Sequence, residues 1–294
     1  MAASSSVGSS SGSDELHSFM GGDGAVDSMV ALAEQAVESS TLDQIASRAQ
    51  RFAVAEQYER RLGPHGAYGE FPLRGMAELL QHPSVRDVAS RPSARFVEFG
   101  SGAGRLVLGV AVMQPNWGGV TGIEAVEGLH NIADAAIRVA EAKGAVPEAI
   151  CETIHSPDGL PHDDPSAEAF ASADVAFLYS TTFPSEDGLR LPRISASLAS
   201  VLPAGAVVIT TDKWLVGERF VFDALLPIVG EDGERIYAMV WRVVGEAAGP
   251  GGFDMSLEEI EANWSGEDAC ADNPPACDAM LQTIEAEGLG DDVM

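Results

Sequence analysis

The sequence predicts an α/β protein with a mostly parallel sheet that ends in an antiparallel hairpin. Three observations carry this. Short apolar runs alternate with helix-period segments between Arg95 and Thr211. A glycine-rich turn, GSGAG at 100–104, joins the first such run to the first such helix. Near the end of the alternation, two apolar runs flank GEDGE, whose Asp232-Gly233 is a tight-turn signal.

Taken in order, Ala25 to Leu62 carries helix formers with apolar recurrence at Met29, Leu32, Ala33 and Ala36, then at Leu42, Ile45 and Ala46. Ser39-Ser40-Thr41 breaks it and Gly63-Pro64 ends it, which predicts a two-helix lead-in. The alternation then runs through RFVEF (95–99), a helix from Ala103 to Met113, GGVTGIE (118–124), a helix from Val126 to Ala142, and EAICETI (148–154). ADVAFLY (173–179), a helix around Leu189 to Leu202, and GAVVITT (205–211) follow. The hairpin strands are LLPIV (225–229) and RIYAMVWRVV (235–244). From Gly245 the chain is acidic and weakly periodic, with short helices expected at Leu257 to Asn263 and Asp278 to Glu287. The expected organisation is a disordered Ser/Gly-rich tail (1–24), the helical lead-in (25–66), one α/β domain (67–244) and an acidic tail (245–294).

Composition narrows the function. A chain of 294 residues with 46% hydrophobic residues can bury one sizeable core. No apolar run approaches the roughly 20 residues that span a bilayer, so no membrane association is expected. The opening MAASSSVGSSSGSDELHSF lacks the basic start and apolar centre of a secretory signal, and Asp14 and Glu15 precede any Lys or Arg. Cys151, Cys270 and Cys277 are too few and too scattered for a disulfide framework, which places the chain in a reducing compartment, cytoplasmic or nuclear. With 17 basic against 45 acidic residues the net charge is −28, and no Lys or Arg follows Arg242. A field of that sign repels phosphate, so direct nucleic-acid binding is not expected, and a basic partner or a small neutral molecule fits better.

The glycine turn is specific about its ligand. Gly100, Gly102 and Gly104 lie where the first strand becomes the first helix, where absent side chains let a ligand touch backbone. The spacing is G-x-G-x-G followed by Arg105, not the G-x-G-x-x-G of a dinucleotide site. Glu98, two residues before the turn, would repel a pyrophosphate but hold a cationic amine. Glu124 ends the second strand, where an acid accepts hydrogen bonds from both ribose hydroxyls. A ligand with a ribose, an amine and no phosphate is S-adenosylmethionine.

This V-E-F-G-S-G-A-G-R … G-I-E constellation resembles motif I and its acidic follower in the class I S-adenosylmethionine-dependent methyltransferases, whose Rossmann-like sheet also ends in a hairpin. AYGEFPLRGMAELL (67–80), FVEFGSGAGRLVLGVAV, GIEAVEGLHNIAD (122–134), ADVAFLYSTTF (173–183) and GAVVITTDKWL (205–215) together resemble the non-SET, disruptor of telomeric silencing-like, histone-lysine methyltransferase family, over Tyr68 to Leu215. The resemblance implies that Tyr68 and Glu70 form a loop over the methionine part of the cofactor. It also implies that Gly100, Ser101, Gly102, Gly104 and Arg105 cradle the cofactor, that Glu98 holds its amine and Glu124 its ribose, and that Asp158 reads the adenine. Tyr68, Tyr179 and Ser180 are the implied catalytic residues, Tyr179-Ser180-Thr181 standing where the family has Asn-Asn-Phe. The implied activity is protein-lysine methylation of a basic, histone-like substrate. The family's basic extension is missing, however. A small-molecule methyltransferase and a cofactor-binding pseudoenzyme are the alternatives.

Methyl transfer is an in-line displacement, so the protein contributes alignment and a dry cavity. Tyr68, Tyr179, Phe183 and Trp214 are the aromatics near the strand ends that could wall an acceptor channel. His155 and His162-Asp163-Asp164 read as a solvated loop rather than a metal site, and Cys270 and Cys277 lack metal-ligand spacing.

Overall fold

The computed structural model describes residues 23–39, 42–62, 68–157, 165–183, 185 and 189–246. Its sheet has seven strands: β1 (Arg95–Phe99), β2 (Gly119–Glu124), β3 (Cys151–His155), β4 (Val175–Leu178), β5 (Val207–Thr211), β6 (Phe220–Val229) and β7 (Arg235–Val243). The spatial order is β3-β2-β1-β4-β5-β7-β6. β1 to β5 pair in parallel, whereas β7 runs antiparallel to both β5 and β6. This is the mostly parallel, Rossmann-like sheet with a C-terminal antiparallel hairpin that the sequence predicts.

Alternation along the central strands divides the core in two. β1 sends Phe96 into one layer and Val97 and Phe99 into the other, and β4 does the same with Phe177 against Ala176 and Leu178. The first layer is covered by α1 (Asp23–Ser39), α4 (Leu73–Gln81), α5 (Pro83–Ala89), α6 (Arg105–Met113) and α7 (Glu127–Ala142). The second is covered by α8 (Ser166–Ala171) and α9 (Pro192–Val201). Helix α6 reads LVLGVAV and is apolar on every side because it is buried on nearly every side.

The lead-in contains three helical pieces rather than two, α1, α2 (Leu42–Ile45) and α3 (Arg48–Leu62). It packs into the body of the protein: Ala33, Val37, Leu42 and Ala55 belong to the first core layer. Strand β6 is ten residues long, about twice the LLPIV run, because Asp223 forms a bulge that lets its first half pair with β7 as well. The hairpin closes over Gly230 to Glu234, with Gly233 at φ 83°. Helices α4, α5 and α8 were not foreseen: α5 and α8 are only seven and six residues long, whereas α4 does carry a helical apolar stripe, Leu73, Met76, Ala77 and Leu80, that the sequence reading overlooked. The helices expected after Leu257 and Asp278 lie outside the described residues, and no described helix is long and apolar enough to cross a membrane.

Gly118, at the entrance to β2, is fixed by packing: a Cβ there would stand 2.6 Å from the Ser93 carbonyl oxygen, which is backbone and cannot rotate away. Gly118→Ala is therefore expected to lower stability by about 1–3 kcal/mol, read as a lower urea midpoint at unchanged m-value.

Candidate functional site

The site forms where the C-terminal ends of β1, β2 and β4 meet the N-terminus of α6. Gly100, Gly102 and Gly104 all have left-handed backbone, at φ 76°, 55° and 78°. A Cβ would meet a different neighbour at each. At Gly100 it would lie 3.2 Å from the Phe183 ring, at Gly102 2.5 Å from the Tyr68 ring, and at Gly104 2.9 Å from Ala133 Cβ on α7. Gly104 thus serves the packing of α6 on α7, while Gly100 and Gly102 keep two aromatic rings close to the turn. Gly122 on β2 is a fourth constraint, since a Cβ there would stand 2.6 Å from Ser101 Oγ.

Two carboxylates lie beneath the turn. Glu98 is buried, and its Oε2 has no hydrogen-bond partner; Ser101 Oγ is a second buried polar atom without one. Burial, reinforced by the nearby Glu124 carboxylate, pushes Glu98 well above the usual carboxylate range. Glu124 is also buried, but its oxygens accept the backbone N–H groups of Gly102 and Val126, each at 2.7 Å. Burial raises its pKa and these backbone bonds oppose the rise. The Ala125 N–H is a third backbone partner, and since a carboxylate offers about four lone-pair directions, Glu124 retains acceptor capacity beyond these bonds.

A cavity lies between Tyr68, Glu70, Phe71, Glu98, Ser101 and Tyr179, with Arg105 and Leu106 from α6 on its flank. The Tyr68 hydroxyl donates to Glu70 Oε1 at 2.7 Å. Burial, with the Glu70 charge adding to it, holds the Tyr68 phenol far above its ordinary value, so it remains a donor. Arg105 donates to the Phe71 carbonyl at 3.1 Å and pairs with Glu231 at 2.6 Å, tying α6 to the Tyr-Gly-Glu segment and to the β6–β7 hairpin.

Tyr179 and Ser180, adjacent in sequence, diverge. Tyr179 lines the cavity and packs edge-on to Phe71, with ring centroids 5.5 Å apart. Ser180 is fully buried, donating to the Thr211 carbonyl at 2.7 Å and accepting the Thr211 N–H at 2.9 Å, which clasps the end of β4 to that of β5. Lys213 completes the clasp: its Nζ donates to the carbonyls of Ser180 (3.1 Å), Thr181 (2.8 Å) and Phe183. Trp214 is buried in the second core layer.

Asp158 and His162 to Asp164 lie outside the described residues. At the end of β3 the structure instead presents His155, whose Nε2 lies 3.1 Å from the Ala125 carbonyl and whose ring stacks on His130 with centroids 5.5 Å apart. Among the described residues no cluster of side chains could hold a metal ion. Arg51, Lys213 and His130 were missed by sequence reasoning. Arg51 alone had a signal, standing four residues before Ala55 on the buried stripe of α3.

No protein-family model and no curated protein matches this sequence. Solved structures similar to it include the rRNA methyltransferase aviRa from Streptomyces viridochromogenes, 17% identical over 60% of this chain and 86% of that one, at a TM-score of 0.42. The arsenic(III) S-adenosylmethionine methyltransferase CrArsM from Chlamydomonas reinhardtii is 14% identical over 60% and 75%, at 0.39. The tRNA methyltransferase TrmK from B. subtilis is 14% identical over 64% and 71%, at 0.34. These are distant likenesses and transfer no activity to this chain.

One expectation is corrected by them. The similar structures include RNA methyltransferases, so neither a basic protein acceptor nor the exclusion of nucleic acid stands. The physical reason is that net charge sums the whole chain, whereas binding depends on the local field. Thirteen of the 45 acids follow Gly245, beyond the sheet.

The isolated Glu98 carboxyl sets a pH dependence. Its folded-state pKa is raised, so the folded protein holds this proton more tightly than the unfolded chain does. Stability is full below the unfolded value near 4.5 and declines as pH rises toward the folded one. Glu98→Gln abolishes that decline. The variant is expected to melt above the parent at neutral pH and to converge with it near pH 4, by calorimetry across the range.

Proposed function

We propose that the protein is an S-adenosylmethionine-dependent methyltransferase with a small-molecule acceptor. The observation that carries the cofactor reading is Glu98: a buried carboxylate, without a partner on Oε2 and beside a second acid, calls for a cation. A dinucleotide's pyrophosphate would aggravate the charge there, whereas an amino-acid ammonium relieves it. Glu124 would accept the ribose hydroxyls on the lone pairs left free by Gly102 and Val126. Gly100 and Gly102 bring bare backbone to the same place, and Ser101 Oγ supplies a further unpartnered hydroxyl.

When bound, the cofactor supplies a methyl group activated on a sulfonium. The chain's own task is then orientation and exclusion of water. Tyr68, Phe71 and Tyr179 wall the cavity beside Glu98. The Ser180 clasp and the Lys213 contacts fix the turn that carries Tyr179 and Phe183. Ser180 acts through this clasp and not as a group that touches substrate.

A small acceptor is favoured by enclosure. The cavity is lined by the Tyr68–Phe71 segment and by Arg105, which Glu231 holds from the hairpin side. The narrower likeness to the non-SET histone-lysine family supports the placement of Tyr68, but on the acceptor side Tyr179 and Ser180 stand where the family has its asparagines, and Ser180 and Thr181 turn toward β5. Its lysine substrate is accordingly not carried over.

Labelled-methyl transfer decides the class. The protein is incubated with methyl-labelled cofactor and, separately, a small-metabolite fraction, total RNA and total protein. Label in the small-metabolite arm alone is expected. Transfer only to RNA or protein contradicts the acceptor class, and binding without any transfer identifies a pseudoenzyme. Gly102→Val, whose first side-chain atom would strike the Tyr68 ring from a left-handed backbone, is expected to abolish calorimetrically measured cofactor binding with its far-ultraviolet circular dichroism unchanged.

A further inference from the structure

We infer that Arg51, on α3 and outside the glycine turn, is a positioning residue for the cofactor cavity: through Glu70 it holds the Tyr68 ring on Gly102. This rests on the cofactor reading above and goes beyond it by making the helical lead-in part of the site.

Three donors converge on a single oxygen. Arg51 Nε and Nη2 reach Glu70 Oε1 at 2.7 and 2.6 Å, and the Tyr68 hydroxyl donates to the same atom at 2.7 Å. Arg51 and Glu70 side chains are 3% and 5% exposed, so water does not compete for these bonds. Arg51 is itself anchored, since Nη1 donates to the Ala46 carbonyl at 2.8 Å. Phe52, the next residue on α3, meets the Tyr68 ring edge-on with centroids 5.0 Å apart. Helix α3 therefore fixes both ends of the ring, its hydroxyl through Arg51 and Glu70 and its edge through Phe52. The ring also lies against Gly102, at the turn itself.

The arrangement also reassigns Glu70. Its Oε1 is saturated by Arg51 and Tyr68, and its Oε2 has Arg48 at 3.8 Å. Glu70 is thus a relay between Arg51 and Tyr68 rather than a ligand for the cofactor. A buried ion pair adds little net stability over an apolar replacement, but here it places one aromatic ring against Gly102, a turn residue with no side chain of its own.

The test titrates the full-length protein and its variants with S-adenosylmethionine by calorimetry. Arg51→Met is expected to weaken binding about tenfold, the equivalent of losing one charge-assisted bond, and Arg51→Lys to restore part of it. In a Tyr68→Phe background, where the hydroxyl no longer reaches Glu70, Arg51→Met should produce no further loss. Ala33→Gly, which loosens the lead-in away from Tyr68, should lower the melting temperature at unchanged affinity. Unchanged affinity in Arg51→Met, or an equal loss in the Tyr68→Phe background, overturns the relay. Should the unaltered protein not bind the cofactor, that result counts against the cofactor reading, and backbone hydrogen exchange at residues 68–71 then decides the relay. Faster exchange in Arg51→Met supports it and unchanged exchange overturns it.

Discussion

A carboxylate buried at the end of β1 without a partner is the constraint on which the rest of the site depends. Desolvating an ionised carboxylate costs several kcal/mol unless a cation or donors compensate, and Glu98 has the Glu124 carboxylate near it instead. The surroundings supply little relief, for the turn above spends its Gly102 N–H on Glu124. The fold thus favours a protonated Glu98 carboxyl, for want of a counter-charge, at the point where strand, glycine turn and helix N-terminus meet. A ligand that brings a cation there gains the energy which the folded protein alone forgoes.

The elements around that point divide the work. The glycine turn provides bare backbone, and Gly104 allows α6 to approach α7. Arg105 links α6 to the segment carrying Phe71 and to the β6–β7 hairpin, so the antiparallel edge of the sheet reaches back to the cavity wall. The β4–β5 clasp of Ser180, Thr211 and Lys213 gives the end of β4 a backbone-fixed turn, with a lysine solvated by carbonyls in place of water. Burial lowers the Lys213 pKa, and the neighbouring Asp212 opposes that shift.

The parts of the fold legible in the sequence are those where one periodicity dominates. β1, β4 and β5 are buried on both faces and read as short runs dominated by apolar and β-branched residues, and Asp232-Gly233 marked the hairpin because a left-handed residue is needed at Gly233. Helix α8 was invisible because six residues span too few turns to establish a stripe. The first half of β6 was hidden by the Asp223 bulge, which disrupts alternation. In the site, the glycines, Glu98 and Glu124 were legible since their spacing is local. Lys213 and the His130–His155 stack depend on contacts between distant elements that no local pattern encodes, and the place of Arg51 on the α3 stripe says nothing of its partner Glu70. Whole-chain charge misled about partners because it carries no spatial information.

Calorimetric titration with S-adenosylmethionine between pH 5 and 8, in buffers of differing ionisation enthalpy, tests the central claim most directly. A cationic amine beside Glu98 lowers that group's raised pKa, so binding is predicted to release protons, and the release should vanish in Glu98→Gln. Absence of binding, or binding with the same proton balance in both proteins, would contradict the account.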